Sequence, residues 1–489
     1  MRPKHKVFPR GYEFNCFQGQ PEKNITQLTV PPRVTIPLKQ GFGNEVSPVV
    51  KAGQKVLAGQ IIAKDDQSIS NPVHSSVSGT IAGIEAGAIT IDSDGSDKWR
   101  KLDGFLPNWG DLTAEKIGEL DYLSGAGSSG ESGIPTGYNS STIPPNEVED
   151  LIIQGIGAEP YNISLDVLLE DEQLSHFIDG MKILKRLMTK AKQHLVLDKS
   201  QNALISRISQ SPDIDDSVNL FTTNPKYPAN RDEVLMPLLL GKKFPHGYSA
   251  ANAGVIILDI QAVLDVYYAV AEGKPLIEKT MALCGPGFTE NTHIRFRVGS
   301  SFEHITADRV DTDKSLRFVR NSCLNGEKVS ELSEPADRTV AIVIAMLEDD
   351  ESEFLSFARL GLNRDSYSWT CASDLFKKDR KMLLKKCGTN VHGERRPCLF
   401  CGFCKNICPA GIIPHLLFQY AERDIIDEDL LRYKIFDCIE CNLCTYVCPS
   451  KIPVSEFIKK GKKRLIEEGF ELTTPVAKLK GIEKYKTVK

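Results

Sequence analysis

The sequence predicts a multidomain α/β plus β protein. A small β-sandwich or barrel comes first, then a parallel α/β domain, a short-stranded β insert and a mainly helical C-terminal metal domain. Three observations carry that prediction. Apolar and polar residues alternate between about 35 and 100, with Gly and Pro as punctuation. From about 149, strand-like and helix-like apolar runs take turns. Eight of the 13 cysteines fall between Cys398 and Cys448, in two groups of the same spacing. A chain of 489 residues is long enough for about three domains.

Composition narrows the class. Hydrophobic residues make up 41% and charged residues 25%, as in an ordinary globular protein. Sixty Lys+Arg against 64 Asp+Glu leave a net charge of -4, so no basic surface speaks for nucleic acid. The most apolar stretch, Ala253 to Ala271, carries Asp259, Gln261 and Asp265 and reads as a buried strand running into a core-facing helix. No apolar run follows Lys4-His5-Lys6, so the expectation is a soluble chain without a secretory signal, at most peripheral to a membrane.

In chain order, residues 1–100 read as an N-terminal arm and a β unit resembling the barrel-sandwich hybrid of biotinyl and lipoyl domains. No lysine stands at its hairpin tip, which argues against a swinging-arm carrier. His74 reads as a structural histidine. Residues 101–148 form a connection rich in Gly and Ser. Its segment Ser128-Ser-Gly130-Glu-Ser-Gly133-Ile-Pro-Thr136 reads either as a flexible linker or as a loop whose amides cradle a phosphate. Residues 149–276 give strands at Asp150–Gln154, His194–Leu197, Val218–Phe221 and Val255–Leu258, with helices over Leu165–Gln193 and Ala262–Val270. That is a Rossmann-like sheet, of the kind that binds nucleotides at the carboxyl ends of its strands. Residues 277–345 return to short strands and suggest a β-grasp (SLBB-like) insert. Residues 346–395 read as a helical connection, and 396–489 as a two-cluster ferredoxin domain.

The cysteines carry the chemistry. Cys398, Cys401, Cys404, Cys408-Pro409 and Cys438, Cys441, Cys444, Cys448-Pro449 both read C-x2-C-x2-C-x3-C-P, the run of two-cluster bacterial ferredoxins. Three closely spaced thiolates wrap one iron–sulfur cube and the fourth reaches the other cube. One [4Fe–4S] cluster is therefore assigned to Cys398, Cys401, Cys404 and Cys448, the other to Cys438, Cys441, Cys444 and Cys408. A pair of zinc knuckles would need two separated C-x2-C pairs and has no use for this register. Apolar residues between the ligands, such as Phe403, Ile407, Leu443 and Val447, would keep water from the clusters.

The order of units, with Ser70-Asn-Pro-Val-His-Ser-Ser-Val-Ser-Gly79, Ala158-Glu-Pro-Tyr161, Lys226-Tyr-Pro228, Gly273-Lys-Pro-Leu-Ile-Glu278 and both cysteine groups, resembles the RnfC/NqrA family across nearly the whole chain. Residues Glu353 to Arg395 are closer to its NqrA branch, which lacks the ferredoxin cysteines. The resemblance implies FMN and NADH near Gly130, Gly133, Thr136, Glu159 and Tyr161. Four departures surround that pocket: Glu131 in the loop, Asn139 for an expected lysine, Gly157 for a glutamate, and Asp259-Ile-Gln-Ala262 for N-V-x-T. Together they argue that the flavin–NADH site is reshaped or lost.

The expected function is that of a peripheral electron-transfer subunit of a membrane-bound Rnf- or Nqr-type complex, on the cytoplasmic face of the plasma membrane. Its partners would be the membrane subunits and a soluble donor or acceptor: NADH, ferredoxin or quinone. The alternative is a self-contained FMN-dependent NADH dehydrogenase feeding its own ferredoxin domain. Lys405, Lys451, Arg395, Arg396 and the run Lys459-Lys-Gly-Lys-Lys-Arg464 read as solvated charge or as a docking face. The scattered Cys16, Cys284, Cys323, Cys371 and Cys387 read as core thiols.

Overall fold

The structure is a computed structural model that describes residues 2–14, 17–85, 87–128, 133–215, 217–348 and 395–470. The predicted helical connection lies almost wholly outside the described residues, as do Gly130, Glu131, Cys16, Cys371 and Cys387.

The first β unit has two sheets. One runs Arg33–Pro37, Ala88–Ser93, Gly79–Glu85, Lys55–Val56; the other Ser47–Pro48, Ile61–Lys64, Val73–His74. Strand side chains alternate between faces, so Val34 and Ile36 meet Ile62, Ile81, Ile89 and Ile91 in the interior while Arg33 stays in water. Gly79 is required by closeness: a Cβ there would stand 2.0 Å from the Asp92 carbonyl oxygen.

Five parallel strands form the central sheet, in the order Lys4–Lys6, Asn219–Thr223, Lys192–Asp198, Asp150–Gly155, Val255–Asp259. Its inner strands are apolar on both faces, as a sheet covered on both sides demands. Leu151, Ile153, Leu195, Leu197, Ile256 and Leu258 face the helices Gln173–Leu187 and Ile260–Tyr267. Ile152, Val196, Phe221, Val255 and Ile257 face the helix Asp232–Leu240 and, beyond it, Ile407, Cys441, Leu443 and Val447. The cysteine-bearing segment therefore packs on the second face of this sheet.

A six-stranded sheet runs Glu327–Lys328, Leu316–Arg320, Ile342–Leu347, Glu278–Cys284, His293–Arg297, Ile25–Gln27. Its central pair, Glu278–Cys284 with Ile342–Leu347, is parallel. Cys284 is buried there.

The helix expected over 165–193 is two helices, Leu165–Leu168 and Gln173–Leu187. The acidic Glu170-Asp171-Glu172 offers nothing to bury between them, and Asp171 takes φ +46° and turns the chain. The N-terminal arm does not stay with the barrel. Lys4–Lys6 extends the parallel sheet and Ile25–Gln27 extends the six-stranded one. Between these anchors the arm crosses the carboxyl ends of the parallel strands. Tyr12 exchanges backbone hydrogen bonds with Tyr227, each at 2.9 Å, and Gly11 donates to the Ile407 carbonyl.

Candidate metal centre

The two cysteine groups fold as copies of one unit, each ligand recurring 40 residues on, as from Cys398 to Cys438 and from Cys408 to Cys448. Short helices Phe403–Ile407 and Leu443–Tyr446 correspond, and so do Pro414–Glu422 and Val454–Glu467. Their backbones match residue by residue. Phe400 and Glu440 take φ +51° and +56°, Gly402 and Asn442 +74° and +62°, and Gly411 and Lys451 +73° and +56°. Left-handed residues on either side of each second cysteine curl the loop, so that successive backbone N–H groups turn inward, a shape suited to an anionic cluster.

Each unit lines a cavity with little polar surface. One, of about 350 Å³, is bounded by Cys398, Cys401, Cys404 and Cys448, with Phe403, Phe418, Ile452 and Val454. The other, of about 330 Å³, is bounded by Cys438, Cys441, Cys444 and Cys408, with Ile412, Leu443 and Ile458. In each, three sulfurs come from one group and the fourth from the other. None of these eight cysteines is in a disulfide. No three His, Cys, Asp or Glu among the described residues gather closely enough to hold a single metal ion.

Burial governs these thiols. It pushes Cys404 up to about 11 and Cys441 up to about 12, and raises Cys408, Cys438 and Cys444 as well. Neighbouring sulfurs add to the rise at Cys444, where both Cys408 and Cys404 are felt; the cavities adjoin. Ligation must therefore expel protons, and cluster assembly is coupled to their release. The cavities differ in setting. Cys401 is exposed, beside Leu399 at 69% and Phe400 at 63% exposure, whereas its counterpart Cys441 is buried.

Sequence reasoning missed the groups that clasp the second cavity. Tyr227 donates its hydroxyl to the Cys441 carbonyl at 3.0 Å, Arg10 Nη1 to the Cys408 carbonyl at 3.0 Å, and Lys462 Nζ to the Cys438 carbonyl at 2.5 Å. Lys462 belongs to the run read as solvated, yet its side chain is 4% exposed and also bonds Glu440 at 2.8 Å. A signal was there: with Ile458 and Leu465 it falls on the apolar stripe of its helix. Nothing local in the sequence flags Arg10, and Tyr227 stood out only within the segment Lys226-Tyr-Pro228.

Of the residues expected to hold a flavin, Gly130 lies outside the described residues and the other four are engaged within the protein. Thr136 is buried and its hydroxyl meets Ser140 at 2.7 Å; a Cβ on Gly133 would lie 2.2 Å from the Ser140 carbonyl oxygen. The stretch 133–136 is packed, while residues 129–132 of the same segment lie outside the described residues. It lies beside the barrel, where Ser70 N donates to the Asn139 carbonyl and His74 is buried. Glu159 accepts from Ser322 Oγ, and Tyr161 donates its hydroxyl to the Gln18 carbonyl of the arm. Amides that could have met a phosphate are taken by carboxylates: Gly157 and Ser200 N donate to Asp198, and Ala262 N to Asp259. Phe14, Phe17, Tyr161, Tyr227 and Tyr446 form a row of ring contacts at these strand ends. In this way side chains occupy the described part of the crevice.

Three family models match the chain: the RnfC barrel sandwich hybrid domain over 9–96, the Nuo51 FMN-binding domain over 123–268 and the 4Fe-4S dicluster domain over 394–452. Among curated relatives, the C subunit of the proton-translocating ferredoxin:NAD(+) oxidoreductase complex of Clostridium ljungdahlii is 23% identical over 451 residues, covering 89% of each chain. The C subunit of the ion-translocating oxidoreductase complex of Pseudomonas aeruginosa is 26% identical over 94% of this chain and 56% of its own length. That of Klebsiella pneumoniae is 25% identical over 81% of this chain and 49% of its own length. The chain thus spans most of the clostridial relative and about half of the other two.

Proposed function

We propose that this chain, similar along most of its length to the C subunits of ion-translocating oxidoreductase complexes, is a peripheral iron–sulfur electron-transfer subunit of such a complex. Cys398, Cys401, Cys404 and Cys448 hold one [4Fe–4S] cluster; Cys438, Cys441, Cys444 and Cys408 hold the other. The observation that carries this reading is the pair of near-equal cavities, each with four sulfurs and each taking its fourth from the opposite group. When bound, the clusters take up and pass on single electrons. The chain's own residues ligate, space and insulate. Phe403, Phe418 and Ile452 on one side and Ile412, Leu443 and Ile458 on the other exclude water, and the exposed Leu399-Phe400 edge opens the first cavity toward a soluble partner.

No helix among the described residues is long and apolar enough to cross a membrane. Attachment is to membrane subunits of an Rnf- or Nqr-type complex at the cytoplasmic face, with NADH, ferredoxin or quinone as soluble donor or acceptor. The six-stranded sheet is the SLBB-like β-grasp unit of the chain. Its order His293–Arg297, Glu278–Cys284, Ile342–Leu347, Leu316–Arg320, with a parallel central pair, supports that reading. The boundaries 1–100, 101–148, 149–276, 277–345, 346–395 and 396–489 go with it, except that the arm's two strands join other sheets.

Anoxic reconstitution with iron and sulfide is expected to load about eight irons per chain and to give reducible EPR signals from two interacting centres. Crossed ligation has its own signature. Cys398→Ser and Cys448→Ser should each spare the same cluster, and Cys438→Ser and Cys408→Ser the other. Stoichiometric zinc with no iron, or loss patterns that follow sequence groups instead of cavities, would refute the assignment.

A further inference from the structure

The second cavity is the less exposed of the two, with Cys408, Cys441 and Cys444 buried against Cys404 alone in the first, and burial disfavours reduction, because the added electron brings charge into a poorly solvated place. Two cations stand against that effect. The Lys462 ammonium, 4% exposed, lies on the Cys438 carbonyl. The Arg10 guanidinium reaches the Cys408 carbonyl across Gly411, where a Cβ would come within 2.7 Å of Nη1. Both point at backbone oxygens of ligand residues, and they come from opposite ends of the chain. The other charges here are mixed. Glu440 accepts from Lys462 and has Lys459 at 3.8 Å, and Arg231 acts on Cys441. At the first cavity, His415 Nδ1 lies 3.8 Å from Cys404 Sγ, and the Lys405 charge acts on His415.

Resting on the two-cluster reading above, we propose that Lys462 and Arg10 are positioning residues that hold the reduction potential of the buried cluster above that of the exposed one. An electron arriving at the exposed Leu399-Phe400 edge then comes to rest beside Cys441. No proton or bond changes hands: one centre is oxidised as the other is reduced. A fixed positive charge near a cluster favours the more negative, reduced state, and a low dielectric strengthens that preference. Glu440 works the other way, so Lys462 has both a cluster to stabilise and a carboxylate to offset.

The test is an EPR-monitored redox titration of the full-length chain, reconstituted anoxically. Lys462→Met is expected to lower the midpoint of one cluster at least tenfold in its reduced-to-oxidised ratio, about 59 mV for one electron, leaving the other unchanged. Lys462→Arg should restore it, and Glu440→Gln should move the same cluster upward, an opposite sign that mere loosening would not produce. Should Lys462→Met lose iron, Arg10→Met, at the edge of the fold, still decides: the same cluster must fall. Unmoved midpoints in an iron-replete Arg10→Met or Lys462→Met, or equal shifts of both clusters, overturn the proposal. Absence of iron signals from the wild-type chain would instead sink the functional reading beneath it.

Discussion

Glu159 shows how a residue kept from a ligand-binding pattern can serve a different purpose. Burial pushes its carboxyl up to about 7, although Ser322 and Arg231 pull the other way. The folded chain therefore binds a proton at Glu159 that the unfolded chain, near 4.5, releases. Its contribution to stability is full below about pH 4.5 and is gone once the pH has risen through about 7, a change of about 3 kcal/mol. Glu159→Gln keeps an acceptor for Ser322 but cannot titrate. Its melting temperature, compared with that of the wild type between pH 5 and 8, should fall less as the pH rises. Asp121, buried and pushed up to about 7 by burial and by Asp265, titrates in the same window, so the difference between the two proteins is the readout. Parallel curves would show that Glu159 is ionised throughout. At this scale the cysteines were legible because spacing alone forecasts which sulfurs line the same cavity. Glu159 was legible as a residue but not in its role, because its partners Ser322 and Arg231 lie far away in the chain.

Among the elements, the N-terminal arm departs most from what the sequence conveys. Strands of three residues are too short to show a period of two, so Lys4–Lys6 and Ile25–Gln27 could not be told from coil. The long inner strands at Asp150, Lys192 and Val255 announced themselves by continuous apolar runs. The arm's seat depends on Gly11, which takes φ +82°, and a Cβ there would stand 2.3 Å from the Tyr227 carbonyl oxygen. Gly11→Val adds left-handed strain to that clash and is expected to cost about 1–3 kcal/mol locally, releasing the Tyr12–Tyr227 pairing. Limited trypsin digestion should then cut at Lys6 and Arg10 well before the rest of the chain, and iron should be lost faster on dilution because Arg10 no longer reaches Cys408. Unchanged cleavage at those two sites would mean that Lys4–Lys6 alone holds the arm.

For the molecule as a whole, one question is what became of the crevice where a parallel sheet of this kind ordinarily receives a nucleotide. Residues 123–268 match the FMN-binding domain model, and the five-stranded sheet is present. The departures at Asn139, Gly157 and Asp259 signalled a changed pocket. They could not say what fills it, because the filling comes from Phe14, Phe17 and Gln18 of the arm and from Tyr446 of the cysteine-bearing segment. Phe14 and Tyr446 now meet over Tyr227, and the Asp198 and Asp259 carboxylates occupy amides that a phosphate would seek. Two carboxylates at strand ends also repel an anion outright. The chain purified without oxygen is therefore expected to release no stoichiometric flavin on acid denaturation. Added FMN should keep its full fluorescence at micromolar protein, while the iron signals persist. Flavin retained at one per chain would require Phe14 and Phe17 to leave the crevice, and a shift of the tryptic sites at Lys6 and Arg10 upon flavin binding would reveal that movement. Without such a shift, the carboxyl ends of the sheet serve as the floor on which the loop of the second cysteine group, from Cys441 to Val447, is seated.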